Sequence, residues 1–419
     1  MPLQMQMRLD FAPCIANRCV SLSFFKRLTV IEMTKEDFKD IAPFDDSEFK
    51  EKMASLVNEP GFEHAVKYVL PMVDYPAFVQ QLLTIESKDA FQRNIMVPFL
   101  EMLAQKTTSG ITMDGIDDCH RKDTFTYISN HRDIVLDASF LNLCLLRQGC
   151  RTGEIALGDN LLIYDWIERL VKLNKGFIVK RNLRMLKAFE AAKQLSAYIR
   201  YCHTDKHESV WIAQREGRAK DSNDRTQESV IKMLALAGGD SIVDSLMTLN
   251  ICPTTISYEY DPNDYLKATE FLCKRRNPEY VKSQNDDLLS METGLLGFKG
   301  RIHYQVAPSI NGMLEGLRGI TDKNEIFSSI CAHIDRCIHR GYHIFPVNYI
   351  CYDRLNSSHQ FAYKYTPRDV EAFDRYLDAQ IAKVRLIDVT DDDRQFMRHM
   401  MVTMYANPLI NKLKAEEEH

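Results

Sequence analysis

Hydrophobic and polar positions change their period twice along the chain. Phe49, Met53, Leu56 and Val57 fall at helical spacing after Ser47, and a helical pattern continues to about residue 105. Pro76 suits the first turn of a helix carrying Phe78, Val79, Leu82 and Leu83. A longer helix over 88–105 carries Phe91, Ile95, Phe99, Leu100 and Leu103, with a kink expected at Pro98. After residue 120, short β-rich runs alternate with helical ones. The runs at 125–129, 154–157, 176–181, 209–213, 252–258 and 301–306 predict strands. Helices are expected near 137–149, 160–173, 182–202, 226–237 and 241–248. From 321 the pattern is helical again, over 324–340, 367–384 and 391–414, with a frayed tail at 416–419.

This alternation predicts an α/β fold: a mixed, mostly parallel sheet covered by helices, with helical N-terminal and C-terminal regions. The expected organisation is an extension without periodicity at 1–32, with Met33 as a candidate start, then a helical region at 33–119. An α/β domain at 120–320 and a helical region at 321–419 follow.

Composition narrows the picture. The chain has 419 residues, 45% hydrophobic and 26% charged, which fits a globular protein rather than a disordered or fibrous one. Its net charge of −5 argues against nucleic acid as the main partner. No apolar run approaches the ~20 residues of a membrane span. The 11 cysteines form no paired framework, which fits a reducing, cytoplasmic setting.

Four blocks carry candidate chemistry. Ser129-Asn130-His131-Arg132-Asp133 stands where a β-run gives way to a helix, and Asp137 follows. A His beside a carboxylate can act as a general base, the carboxylate fixing its tautomer. The second block, Gly176–Arg181, is a β-run ending in two cations. Gln214-Arg215-Glu216-Gly217-Arg218-Ala219-Lys220 follows an apolar run, and a Gly among cations suits a phosphate. The fourth, 251–258, is a β-run containing Pro253, which reads as an edge or bulged strand. A Cys/His group, Cys331, His333, Cys337, His339 and His343, lacks zinc-ligand spacing. Ile330, Ile334 and Ile338 make its helix a core element instead.

In this order and spacing the four blocks resemble the glycerolipid acyltransferase superfamily, over about residues 120–260. That family has a His followed by four residues and an Asp, an apolar strand ending in Arg, Glu-Gly-x-Arg, and an apolar strand with Pro. The resemblance implies that His131 takes a proton from an acceptor hydroxyl, oriented by Asp137 or Asp133. It implies that Arg181, Arg218 and Lys220 hold the acceptor's phosphate, with Glu216 and Gly217 shaping that loop. The donor would be an acyl-carrier-protein or coenzyme A thioester, without prosthetic group or metal. The acceptor would be glycerol 3-phosphate or a lysophospholipid, met at the inner face of a membrane, with Phe78–Leu83 and Leu295–Phe298 as contact candidates. Two departures stand out. Family spacing puts the carboxylate at 136, where Leu136 stands, so Asp137 needs an extra residue in the turn. Glu216-Gly217-Arg218 is one residue short, leaving Arg218 and Lys220 as alternatives. An acyl-amino-acid acceptor, or a lipid-binding relative without catalysis, are the alternative readings.

Overall fold

The computed structural model describes residues 33–417; the expected extension at 1–32 and the last two residues lie outside them. Seven strands form one sheet: β1 (Gly110–Asp114), β2 (Thr126–Ser129), β3 (Glu154–Gly158), β4 (Gly176–Val179), β5 (Val210–Ala213), β6 (Ile251–Tyr258) and β7 (Arg301–Val306). Their order is β1-β7-β6-β2-β5-β3-β4. The five strands from β6 to β4 are mutually parallel. The β6–β7 pair is antiparallel and β1 joins β7 in parallel, so the sheet is mixed and mostly parallel.

The central strands are buried on both faces, as crossover helices require. Side chains alternate between two cores with period two. Ile128, Val210, Ile212 and Ile251 pack with Ile199, Ile231, Ile330, Ile334 and Ile338. Tyr127, Trp211 and Cys252 face Leu100, Leu103, Phe140 and Leu143 on the opposite side. The isoleucines of the Lys323–Gly341 helix are therefore core, as their spacing predicts. The N-terminal helices Asp46–Val57, Pro60–Val69 and Tyr75–Leu83 gather around their own core of Phe49, Met53, Phe62 and Leu82. A third layer joins helices Asp264–Arg276, Pro346–Leu355, Pro367–Ile381 and Asp391–Glu417.

Four local expectations change. Strand β1 lies inside the segment expected to be wholly helical; its Gly110-Ile-Thr-Met-Asp sequence buries only Met113 and hides the strand signal. The interruption near Pro98 is a π-helical turn over Gln92–Met96, just before the residue whose ring cannot donate. Pro253 is in an interior strand, not an edge. Its carbonyl accepts from Ala307, so its nitrogen faces the side where the antiparallel ladder has already ended at Thr254–Val306. The final helix continues to Glu417 rather than fraying at 416.

Candidate active site

Because five strands run in parallel, the loops after β2, β4 and β5 leave the same end of the sheet. That end is where open α/β sheets place their ligands. The first block leaves β2 there. Asn130 extends the β2–β6 pairing with its side chain: Nδ2 donates to the Ile256 carbonyl (2.9 Å) and Oδ1 accepts the Ile256 N–H (2.8 Å). The next residue, His131, thus leaves from a fixed point. Its ring meets Trp211 edge-on at 5.5 Å, and Trp211 is itself held by Ser129.

The imidazole pairs with Asp137. His131 Nδ1 lies 2.8 Å from Asp137 Oδ2, in the first turn of the Leu136–Arg147 helix. The same oxygen accepts the N–H groups of Arg132 (2.5 Å) and Asp133 (3.0 Å). An oxygen already serving two donors is the acceptor for a third, so Nδ1 carries the proton and Nε2 keeps its lone pair. The loop closes the six-residue separation that a helix could not. Tyr304 of β7 donates to the Asp137 carbonyl and holds that first turn from below.

Asp133 is not the imidazole's partner. Its Oδ1 caps the helix, accepting from Val135 (2.9 Å) and Leu136 (2.8 Å). Burial and the neighbouring Asp137 push its carboxyl above the ordinary range, against the opposing pull of Lys299. Gly294 lets a neighbouring helix approach: a β-carbon there would sit 2.0 Å from Asp133 Oδ2.

The expected phosphate residues divide. Arg218 is buried, yet its guanidinium makes no hydrogen bond or ion pair among the described residues, and Nη1 is wholly enclosed. Asp261, Lys267 and Lys220 share its electric field. Burial alone would raise the Asp261 carboxyl, but Lys267 and Arg218 outweigh it and hold the group low. Lys267 Nζ also reaches the Arg132 carbonyl (3.4 Å), linking this cluster to the histidine loop. Lys220, by contrast, is ion-paired with Glu270 at 2.6 Å, and burial brings it down to about 8. Arg181 faces Glu216 at 3.6 Å, while its N–H is held by Asp159 and its guanidinium packs on Gly158. Gly217, with φ +68°, takes a left-handed turn that suits glycine. The three expected phosphate cations therefore do not form one free cluster; Arg218 alone is without a partner.

Several neighbours carry no local sequence signal. Arg132 forms a buried two-pronged pair with Asp224 (3.2 and 2.6 Å), and Tyr342 donates to the same carboxylate. Burial works against the Arg132 cation, but Asp224 outweighs it and raises the pKa. Asp224 and Asp261 are drawn from distant segments, so only the fold brings them here.

Beside the histidine loop lies an apolar cavity of about 540 Å³. Ile134, Val135 and Ala138 line it from the first block, Leu157 from β3, and Phe62, Val66, Phe78 and Phe99 from the N-terminal helices. Phe78, Leu82 and Leu295, expected at a membrane surface, instead face this cavity, while Leu83, Leu296 and Phe298 are exposed.

No helix among the described residues is long and apolar enough to cross a membrane. No family model and no curated protein matches the chain. Among solved structures the chain is similar to the 1-acyl-sn-glycerophosphate acyltransferase PlsC from Thermotoga maritima. That similarity has a TM-score of 0.36 and 12% sequence identity, and covers 70% of this chain and 95% of that one.

Proposed function

We propose that this protein transfers a fatty acyl group from a thioester to a hydroxyl of a phosphate-bearing acceptor, glycerol 3-phosphate or a lysophospholipid. One arrangement carries the reading: the loop of the His131–Asp137 pair lines an apolar cavity with Ile134, Val135 and Ala138, and is linked through Lys267 to the charge cluster of a buried, unpaired arginine. The cavity would take the acyl chain; its volume falls within the ~300–1,000 Å³ of ligand sites. Arg218 would take the acceptor's phosphate, since an unpaired buried cation is costly without an anion.

His131 Nε2 removes the acceptor hydroxyl's proton as that oxygen attacks the thioester carbonyl. The tetrahedral intermediate collapses, the C–S bond breaks, and the imidazolium returns the proton to the leaving thiolate. Asp137 holds the tautomer and stabilises the imidazolium in between. The nucleophile is the acceptor's own oxygen, so this route needs no acyl-enzyme and no prosthetic group. Coenzyme A or an acyl-carrier protein would bring the donor.

Thiol release by the purified chain, with an acyl thioester and glycerol 3-phosphate, tests this. His131→Ala should lower turnover by ~10²–10⁴. Arg218→Ala should raise the acceptor's KM roughly ten- to a hundredfold, with little change for the donor. Undiminished turnover in His131→Ala removes the mechanism. A change in donor KM alone moves Arg218 to the carrier's phosphate instead.

A further inference from the structure

Fourteen large apolar side chains are exposed among the described residues, and most stand singly or in pairs along the chain. Four of them, Leu183, Met185, Leu186 and Phe189, fall within seven residues. Met185 and Leu186 are 71% and 82% exposed. The segment connects β4 to the Met185–Thr204 helix, and every residue from 182 to 190 is exposed. The helix thus begins as a protruding turn and meets the core only at Leu195.

Its charges are one-sided. Lys180, Arg181, Arg184, Lys187 and Lys193 stand against the one acid Glu190, in a chain whose net charge is −5. Lys180 pairs with Asp40, Arg181 with Glu216, and Lys193 lies over the Phe189 ring at 4.9 Å. Arg184 and Lys187 are exposed and enter no ion pair among the described residues.

The position of the segment matters equally. It follows β4 at the sheet end that carries His131. Arg181 joins its first residues to Glu216 of the Arg218 loop. Tyr164, half exposed, follows β3 on the same end. An aqueous partner would not reward side chains as exposed as Met185 and Leu186. A bilayer interface does, because it accepts apolar side chains and attracts cations when the lipid is anionic.

We infer that 180–193 is a docking surface for an anionic lipid bilayer, which sets the candidate active site against the membrane. The choice of lipid as partner leans on the proposed acyl transfer, but the test below does not use turnover. The segment is distinct from the two surface candidates that the hydrophobic pattern suggests.

The full chain is sedimented with vesicles of phosphatidylglycerol mixed into phosphatidylcholine, and with pure phosphatidylcholine. The parent should bind the anionic vesicles, and less at high salt. Met185→Asp with Leu186→Asp should lower the partition coefficient at least tenfold, with Leu186→Gln as a milder variant. Arg184→Gln and Lys187→Gln should each lower binding to anionic vesicles about fivefold and leave pure phosphatidylcholine unaffected. Absence of binding by the parent, or equal binding by the apolar variants, overturns the inference. So does gel filtration showing a parent dimer that the variants split, since the face would then belong to a second copy. If no acceptor turns over but vesicle binding follows this pattern, the docking surface stands and the proposed reaction falls.

Discussion

At the scale of the residue, the two aspartates of the first block divide their work by which atoms they reach. Asp137 collects the imidazole and two backbone N–H groups on one oxygen. Asp133 spends its bonded oxygen on the helix start. Asp137→Asn puts an amide where an anion is required: a misplaced NH₂ would meet three donors, and a correct rotamer would still not stabilise the imidazolium. Turnover should fall by ~10²–10⁴. Asp133→Asn should stay close to the parent, because burial and Asp137 already push that carboxyl towards its neutral form, whose shape Asn copies. Asp133→Ala loses the cap and should cost about 0.5–2 kcal/mol of stability. Steady-state kinetics and urea unfolding of the three variants read the two roles apart. The reverse order of activity would make Asp133 the working carboxylate. Of this site, His131 and its carboxylate were legible because both lie in one local block. The missing partner of Arg218 was not, because a sequence lists cations without saying which acids the fold brings to them. Lys220 has Glu270 and Arg181 has Glu216, and only Arg218 is left.

At the scale of the element, strands buried on both faces were readable as short apolar runs, and all six runs appear within one or two residues of their expected ends. Strand β1 was not, since an edge strand with one buried residue has neither alternation nor density. The cavity was equally hidden. Phe62, Val66 and Phe78 show ordinary amphipathic spacing, and periodicity does not separate a side chain packed in a core from one lining a void. The cavity leads to a prediction at this scale. Val66 projects into it from the Pro60–Val69 helix, whereas Ala138 lies beside Asp137. Val66→Trp should fill the part walled by the N-terminal helices and shift the preferred acyl donor to shorter chains. Each methylene left outside forfeits ~0.8 kcal/mol of binding, about fourfold in kcat/KM. Ala138→Phe should depress turnover of every long-chain donor, being next to the reacting groups. A donor-length series on both variants checks this; an unchanged length profile in Val66→Trp would place the acyl chain elsewhere.

At the scale of the whole molecule, the C-terminal helices are tied to the sheet domain through a buried carboxylate. Asp264 begins the helix Asp264–Arg276 and is fully buried. Its oxygens accept from Tyr376 (2.8 Å) on the Pro367–Ile381 helix, Tyr405 (2.8 Å) on the last helix, and Gln380 (2.5 Å). Burial raises its pKa to about 7, Asp261 adds to the rise, and the two tyrosines and Gln380 oppose it. An acid raised on folding keeps its proton in the native state over a range where the unfolded chain has released it. Its contribution is therefore present below the ordinary carboxylate pKa of about 4 and lost as pH climbs from there to about 7. Each unit is worth ~1.4 kcal/mol, so the change amounts to a few kcal/mol. Asp264→Asn cannot titrate; it carries a constant penalty, because one of its atoms becomes a donor facing a donor. The stability of the parent relative to Asp264→Asn, from urea unfolding, should therefore be largest near pH 4 and shrink steadily to pH 7. Other groups that titrate in both chains cancel in that difference. A difference that stays level across the window would mean the carboxylate is ionised in the folded protein, with the tyrosine hydroxyls sufficient to hold its charge.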